Sequence, residues 1–200
     1  MVPYIEDYLM NTMKILDSLY GDIHIGQLVH ELVALRTCHG RLFIIGLGGN
    51  SAHAIHAAAD FRHLCQIEAY APDNLAELTA TANDVGWETI FVEWLSASGL
   101  SQDDMLFVLS VGGGSERDNV SRPMIAAIDY ARGVGATTGG IVGRDGGYTA
   151  RQVDICIVVP TVDPATVTPQ TEGVQSVLLH LLVSHPELQR NQAKWESLTT

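Results

Sequence analysis

The sequence predicts an α/β protein in which helices cover both faces of a parallel sheet. Short apolar runs, each long enough for one buried strand, occupy 42–46, 105–110, 137–142 and 155–160. Stretches with helical spacing of apolar residues separate these runs, an alternation typical of parallel sheets. Glycine-rich turns follow the first two runs, and parallel sheets bind ligands in the turns beyond their carboxyl ends. We therefore expect any functional site at that edge of the sheet.

The helices are predicted from the spacing of apolar residues. Between residues 4 and 20, Ile5, Leu9, Met13, Leu16 and Tyr20 recur at intervals of three and four, which makes an amphipathic helix. Other apolar residues lie outside this stripe, so we expect the helix to need cover from partner chains as well as from its own sheet. The same spacing predicts helices at 27–36, 50–64, 87–96, 123–132, 147–152 and 171–183.

The composition narrows the class of protein. The chain has 200 residues, of which 46% are apolar and 17% charged, as in one globular domain. Its formal charge of 11 − 23 = −12 argues against nucleic acid or an anionic membrane as a partner. No apolar run is long enough to span a bilayer, and Glu6 and Asp7 stand where a signal peptide would be basic. Three cysteines without CxxC spacing fit reduced thiols, so we expect a cytoplasmic protein.

Glycine-rich loops after the first two strands form the first candidate site. Glycines let the backbone approach a ligand closely, and the amides at the start of the following helix can receive an anion. A dinucleotide fold needs only the first of these loops, so the pair favours a phosphorylated metabolite. The loop residues expected to contact it are Gly48, Gly49, Asn50, Ser51, Ser110, Gly112, Gly113 and Ser115.

A polar stripe on the predicted helix at 50–64 forms the second candidate site. At about 100° per residue, His53, His56, Asp60 and His63 fall within an arc of about 80°. His56 and Asp60 are one turn apart, so both side chains can ligate one metal ion. The alternative interpretation is a solvated polar face that carries histidines without a function.

The last predicted helix offers a second pair of possible ligands, Glu172 and His180. Two imidazoles and two carboxylates suit Zn²⁺ better than Fe²⁺ or Mn²⁺. The sequence therefore predicts a metal site that combines two helices.

These motifs together resemble the sugar isomerase (SIS) domain and, within it, the phosphoheptose isomerases. The resemblance extends over nearly the whole chain. It rests on the two N-terminal helices, on the final helix through His180, and on the stretches 46–60, 81–84, 109–115, 143–147 and 159–160.

The resemblance implies a three-layer αβα sandwich around a mainly five-stranded parallel sheet, with additional N-terminal helices. It implies a single SIS domain over 1–200, with a helical oligomerisation segment at 1–37, a core at 38–185 and a tail at 186–200. It also implies a homotetramer, with the N-terminal helices at its centre and active sites near the subunit boundaries.

The resemblance further implies one Zn²⁺ per subunit. In the family, a His-x3-Glu pair and a Gln-x7-His pair bind zinc, and the matching residues here are His56, Asp60, Glu172 and His180. The change from Glu to Asp shortens one ligand arm by a methylene. The change from Gln to Glu adds a negative charge, which should tighten the binding of a divalent cation.

The activity implied by the resemblance is an aldose–ketose isomerisation, from D-sedoheptulose 7-phosphate to D-glycero-D-manno-heptose 7-phosphate through an enediolate. Asp60 and His180 would be the acid–base residues. Two hydroxyls of the family's second loop are replaced by Val111 and Gly112, and residues 116–118 look inserted. Arg117 is therefore expected to replace a lost phosphate contact. Further substrate contacts would come from Asn83, Asp84 and Glu172.

Two other classes of function compete with this interpretation. A non-catalytic SIS module that binds a phosphosugar or docks a protein would keep the glycine loops but needs no paired histidines and carboxylates. A nicotinamide-dependent oxidoreductase would use Glu68 as its ribose-binding acid. Against the oxidoreductase, Ser51 stands where the third glycine of the GxGxxG pattern belongs.

Overall fold

The structure, a computed structural model, describes residues 2–198. No helix among these residues is long and apolar enough to cross a membrane. The strands are β1 (Arg41–Gly46), β2 (Glu68–Tyr70), β3 (Met105–Ser110), β4 (Thr137–Val142) and β5 (Ile155–Val158). The helices are α1 (Val2–Ser18), α2 (Ile23–Thr37), α3 (Gly49–Cys65), α4 (Leu75–Asp84), α5 (Ile90–Ala97), α6 (Arg122–Val134), α7 (Gly147–Gln152) and α8 (Val167–Ser184).

The strands form one parallel sheet in the order β2-β1-β3-β4-β5, which confirms the predicted fold class. The chain moves outward from β1 to β2 and then returns across β1 to β3. The order therefore reverses between β1 and β3, the position at which open parallel sheets bind ligands. Gly46 of β1 pairs with Leu109 of β3, so the two glycine loops leave the sheet side by side.

The two faces of the sheet pack against different helices. Alternate residues of β1 point to opposite faces, with Leu42 and Ile44 in one core and Phe43 and Ile45 in the other. The first core contains side chains of α1, α2, α3 and α8, and the second contains side chains of α5 and α6. This arrangement is the predicted three-layer sandwich, and it places α3 and α8 on the same face.

Two elements lie outside the sequence prediction. β2 has only three residues, alternately exposed and buried, which is too short for a recognisable apolar period. α4 has no buried residue, so its sequence carries no strong apolar stripe. Instead, Asn74 defines its start by accepting hydrogen bonds from the amides of Ala76 and Glu77.

Two helices begin four residues earlier than predicted. α2 begins at Ile23 because the Asp22 carboxylate accepts a hydrogen bond from the amide of His24 and caps the helix. α8 begins at Val167, with Pro169 in its first turn. A proline is tolerated there because amides of the first turn have no partner within the helix.

The apolar stripe predicted on α1 faces away from the domain. Leu9 and Met13 are more than half exposed, whereas Ile15 and Leu19 are buried in the core. The hydroxyl of Thr12 donates to Gln170 of α8, and the Gln170 amide donates to a carbonyl of α1. The helix is therefore attached to its own domain along a narrow strip only.

A buried ion pair ties the amino ends of β1 and β3 together. Asp104, which is 3% exposed, accepts hydrogen bonds from the backbone and guanidinium of Arg41 and from Ser101. Burial raises the pKa of Asp104, but the hydrogen bonds from Arg41 and Ser101 outweigh burial, so the pKa lies below its ordinary value.

We expect Asp104→Asn to lower the free energy of unfolding at pH 7 by about 2–3 kcal/mol. Because the folded state lowers this pKa, the carboxylate stabilises fully above its unfolded pKa of about 4, and the contribution is lost as the pH falls through the folded value. Urea unfolding should therefore show a smaller gap between wild type and variant at pH 3 than at pH 7.

The matched control is the exposed neighbour Asp103. Asp103→Asn should change the free energy of unfolding by less than about 0.5 kcal/mol at either pH. A gap for Asp104→Asn that is equal at both pH values would show that the charge of the carboxylate is not what stabilises the strand ends.

Candidate active site and metal centre

Three polar side chains meet where α3 packs beside α8. His56 Nε2 lies 3.1 Å from Asp60 Oδ2. His180 Nε2 lies 3.3 Å from His56 Nε2 and 3.8 Å from the same oxygen of Asp60. The polar stripe of α3 and the histidine of α8 thus form one cluster, here called the His–Asp–His group.

The ring of His180 is oriented by its own helix. Its Nδ1 lies 2.9 Å from the carbonyl oxygen of Ser176, which can only accept a hydrogen bond. Nδ1 is therefore the protonated nitrogen in the neutral ring, and Nε2 directs its lone pair towards Asp60 and His56. A hydrogen bond of this kind on the remote nitrogen is characteristic of histidines that ligate metals.

The geometry of the His–Asp–His group fits a metal ion. Tetrahedral Zn²⁺ with bonds of about 2.0–2.1 Å holds its ligand atoms about 3.3 Å apart. The three separations here are 3.1, 3.3 and 3.8 Å. The side chains of His56 and His180 are 60% and 56% exposed, which leaves the open side that a catalytic metal site needs for substrate.

The fourth predicted ligand, Glu172, does not join the His–Asp–His group. Its carboxylate lies against Gly49 at the start of α3, where a Cβ would come within 2.7 Å of Oε1. Within the described residues this carboxylate has no hydrogen-bond partner. Glu172 therefore places a negative charge at the amino end of α3, beside the first glycine loop.

The first glycine loop buries a polar side chain without satisfying it. Asn50 is 4% exposed, and its Oδ1 has no partner in the described chain. Its backbone packs under Gly46, where any side chain would collide with it. Ser51, the predicted phosphate contact, is half-buried in the first turn of α3.

The hydroxyls of the second glycine loop are engaged within the loop. Ser110 is buried and its Oγ accepts a hydrogen bond from the amide of Gly113. Ser115 Oγ donates to the carboxylate of Asp118 and accepts from its amide. Both serines were predicted to bind phosphate, and both shape the loop in this structure.

The second loop is locked to the start of α7. The carbonyl of Gly113 accepts from the amide and hydroxyl of Thr149, and the carbonyl of Gly114 accepts from the amide of Tyr148. Gly147 has a φ of 54° and packs so closely that a Cβ would lie 2.2 Å from the carbonyl oxygen of Gly112. The two turns at the ends of β3 and β4 therefore behave as one unit.

Arg117 points into solvent. Its side chain is 89% exposed and pairs with the adjacent Asp118. Hydrogen bonds from Arg117 and Ser115 lower the pKa of Asp118. The expected phosphate contact of Arg117 thus competes with an existing ion pair.

Asn83 and Asp84, the predicted sugar-binding residues, lie at the exposed end of α4. The Asn83 amide donates to the Asp84 carboxylate over 2.7 Å. None of their hydrogen bonds within residues 2–198 reaches the His–Asp–His group.

One positioning residue is absent from the sequence prediction. Gln175 of α8 is fully buried, and its Nε2 donates to the carbonyls of Ser110 and Ile141. It joins the ends of β3 and β4 to α8. Gln175 stands among the apolar residues of α8 in the sequence. Sequence alone, however, does not show whether such a glutamine is buried or exposed.

The chain resembles known enzymes over most of its length. It is 30% identical to the phosphoheptose isomerase of Helicobacter pylori (strain P12) over 163 residues, 78% of this chain and 79% of the relative. It is 35% identical to that of Rhodospirillum rubrum over 150 residues, 72% of this chain and 73% of the relative. The chain belongs to the phosphoheptose isomerase family. It is accordingly an isomerase, although no family model matches it.

The fold agrees with a solved structure of the family. The phosphoheptose isomerase of Neisseria gonorrhoeae superposes with a TM-score of 0.79 at 22% identity, covering 90% of this chain and 95% of that one. The similarity confirms the SIS fold.

Alanine substitutions at Gly147 and Gly49 should differ in their effect on the free energy of unfolding. Gly147→Ala should lower the free energy of unfolding by about 2–4 kcal/mol, because the new Cβ meets backbone oxygens in a left-handed conformation. Gly49→Ala should cost less than about 1 kcal/mol, because only the flexible end of Glu172 must move. Chemical denaturation of both variants measures the difference; equal destabilisation would contradict it.

Proposed function

We propose that this isomerase interconverts D-sedoheptulose 7-phosphate and D-glycero-D-manno-heptose 7-phosphate. The observation that carries the proposal is the His–Asp–His group, formed between α3 and α8 in a member of the phosphoheptose isomerase family. The formal charge of −12 supports a small phosphosugar rather than a nucleic acid as the ligand.

We propose Zn²⁺ as the metal, held by His56, Asp60 and His180. Two imidazoles, one carboxylate and an open position match the ligand set of catalytic zinc sites. When bound, the ion would polarise the carbonyl of the sugar and favour the enediolate. Glu172 is proposed to contact the substrate from the first glycine loop, since it lies outside the ligand group.

The proton transfer is assigned to the free oxygen of Asp60. Oδ2 faces both histidines, whereas Oδ1 has no hydrogen-bond partner in the described residues. Oδ1 would take the proton from C1 of the ketose and return it to C2, while the hydroxyl proton moves from O1 to O2. One carboxylate can thus ligate with one oxygen and act as the base with the other.

The metal assignment predicts one zinc ion per chain. His56→Ala and His180→Ala should each lose the metal and lower kcat at least about 100-fold. Even residues that only support a metal ligand contribute about 10- to 100-fold to affinity or activity, and a direct ligand should contribute at least as much. Elemental analysis gives the metal content, and NMR of the reaction with sedoheptulose 7-phosphate gives the rate. In D₂O, exchange of the proton on Asp60 with solvent before its return should place deuterium at C2 of the product.

His39→Asn is the matched control, because His39 is an exposed histidine outside both the His–Asp–His group and the segment 1–37. It should keep both metal and activity. Full turnover by metal-free wild-type protein would contradict the ligand assignment. Binding of the sugar phosphate without any turnover would indicate a binding module instead of an enzyme.

We also propose a homotetramer in which the segment 1–37 forms the assembly core. The support is the uncovered apolar face of α1, where Ile5, Leu9, Met10 and Met13 are each about half exposed. An exposed apolar stripe of this kind is typical of a surface that another chain covers. Active sites near the subunit boundaries would then depend on assembly.

Leu9→Glu should break the assembly, because it places a charge in the middle of the uncovered stripe. Light scattering should show the mass of four chains for wild type and a smaller mass for the variant, with reduced turnover. Ser18→Glu is the control, since the exposed Ser18 lies about 180° around the helix from Leu9 and about 80° from Met10. A wild-type mass of one chain at micromolar concentration would reject the proposal.

The cytoplasm is the proposed location, because the cysteines suit a reducing compartment. Cys38, Cys65 and Cys156 are all free thiols. Burial raises the pKa of Cys65 to about 11 and that of Cys156 to about 12, which makes both thiols unreactive.

A further inference from the structure

A cavity of about 510 Å³ opens beside the second glycine loop, at the carboxyl ends of β3 and β4. Its walls are the loop and the turn that follows it, the turn between β4 and α7, and α7 itself. Three arginines line it: Arg117, Arg144 and Arg151. One third of the nine arginines of an acidic chain therefore face this one cavity.

Arg144 and Arg151 have unused hydrogen-bonding capacity. Within residues 2–198, neither guanidinium makes a hydrogen bond or an ion pair. Arg41, by contrast, donates to a buried carboxylate and two carbonyls, and Arg117 is paired with Asp118. The fold itself makes no use of the two unpaired cations.

The position of Arg144 depends on Gly112. A Cβ at Gly112 would lie 3.4 Å from Cδ of Arg144 and 3.8 Å from its Nη1, so the arginine extends along the open side of the loop. Arg144 adopts a φ of 54°, a left-handed conformation that is unfavourable for a residue with a Cβ. Such strain is retained mainly where it positions a functional group.

The other candidate positions for a phosphoryl group are less available. At the first loop, the Glu172 carboxylate already occupies the amino end of α3 against Gly49, and it would repel a dianion. At the second loop, Ser115 donates its hydroxyl to Asp118, and Ser110 is buried with its Oγ accepting from the amide of Gly113. The unpaired arginines remain the strongest attraction for an anion at this edge of the sheet.

We propose that Arg144 and Arg151 bind the phosphoryl group of the substrate in this cavity, with Arg144 holding it above Gly112. The proposal rests on the proposed function, because it takes the substrate to be a sugar phosphate. The paired N–H groups of one guanidinium can donate to two oxygens of a phosphomonoester. Two guanidinium ions also balance the double negative charge of that group.

Acidic residues also line the cavity, and most of them are already engaged. Asp118 accepts from Ser115 and Arg117, and Asp145 accepts from the amide of Gly147. The carboxylate of Glu116 makes no hydrogen bond in the described chain. The lining thus carries three arginines and three carboxylates, and the two arginines without an internal partner supply the attraction for an anion.

Inorganic phosphate tests the site independently of turnover. Arg144→Gln should raise the dissociation constant of inorganic phosphate, measured by calorimetry, about 10- to 100-fold, because a charge-assisted pair of hydrogen bonds is lost. With sedoheptulose 7-phosphate, KM should rise by a similar factor while kcat changes less than about threefold. The dissociation constant and KM of Arg144→Lys should lie between those of wild type and Arg144→Gln. Lysine keeps the positive charge but lacks the paired N–H groups of a guanidinium.

Arg132→Gln is the matched control. Arg132 bonds to Gln152 and lies beside the amino ends of β4 and β5, outside the cavity, so the same loss of charge should change phosphate binding less than about twofold. Turnover with unchanged phosphate affinity and unchanged KM in Arg144→Gln and Arg151→Gln would overturn this proposal alone. Phosphate binding that depends on Arg144, without any isomerisation, would overturn the proposed function and support the arginine site.

Discussion

The packing of α3 against α8 on one face of the sheet is the constraint on which the site depends. α3 contributes Ala54, Ala57 and Ala58 to the core, and α8 contributes Val174 and Leu178 to the same cluster. Small side chains on α3 bring the helices close together, and a close-packed interior does not let them slide. The burial of apolar side chains therefore fixes the register between the two helices. That register brings the imidazole of His180 on α8 to the polar stripe of α3.

The glycine loops acquire their shape from neighbours rather than from their own sequences. The loop after β3 is closed by hydrogen bonds to α7, and Gln175 of α8 holds the ends of β3 and β4 together. The helix that carries His180 thus also supports the second loop. The His–Asp–His group and the second loop are therefore connected through α8. An arrangement that is formed before substrate binds loses little free energy when it orders the substrate.

The charges around the second glycine loop differ from the acidic character of the whole chain. Net charge acts at long range and is screened by salt within about 10 Å, whereas hydrogen bonds from a guanidinium act at contact. The chain concentrates three arginines at one cavity and pairs one of them locally. Glu172 gives the neighbouring loop the opposite charge. The two loops are therefore chemically different, although their sequences look alike.

Much of the fold and part of the site follow from local pattern. Alternating apolar runs and helical spacings predict the parallel sheet, and the stripe on α3 predicts that His56 and Asp60 share one face, since helix geometry depends only on neighbouring residues. The short strand β2 and the exposed helix α4 carry too few buried residues to produce such a pattern.

Contacts between distant parts of the chain were decided only by the tertiary structure. Glu172 and His180 lie on one helix at ligand spacing, yet packing directs the first to Gly49 and the second to His56. Arg117 stands within the second loop and points to solvent, whereas Arg144 follows a different strand and lies over Gly112. Sequence determined which residues share a face, because that depends on local backbone geometry. Packing across the sheet determined which faces meet, because that depends on burying apolar surface from segments far apart in the chain.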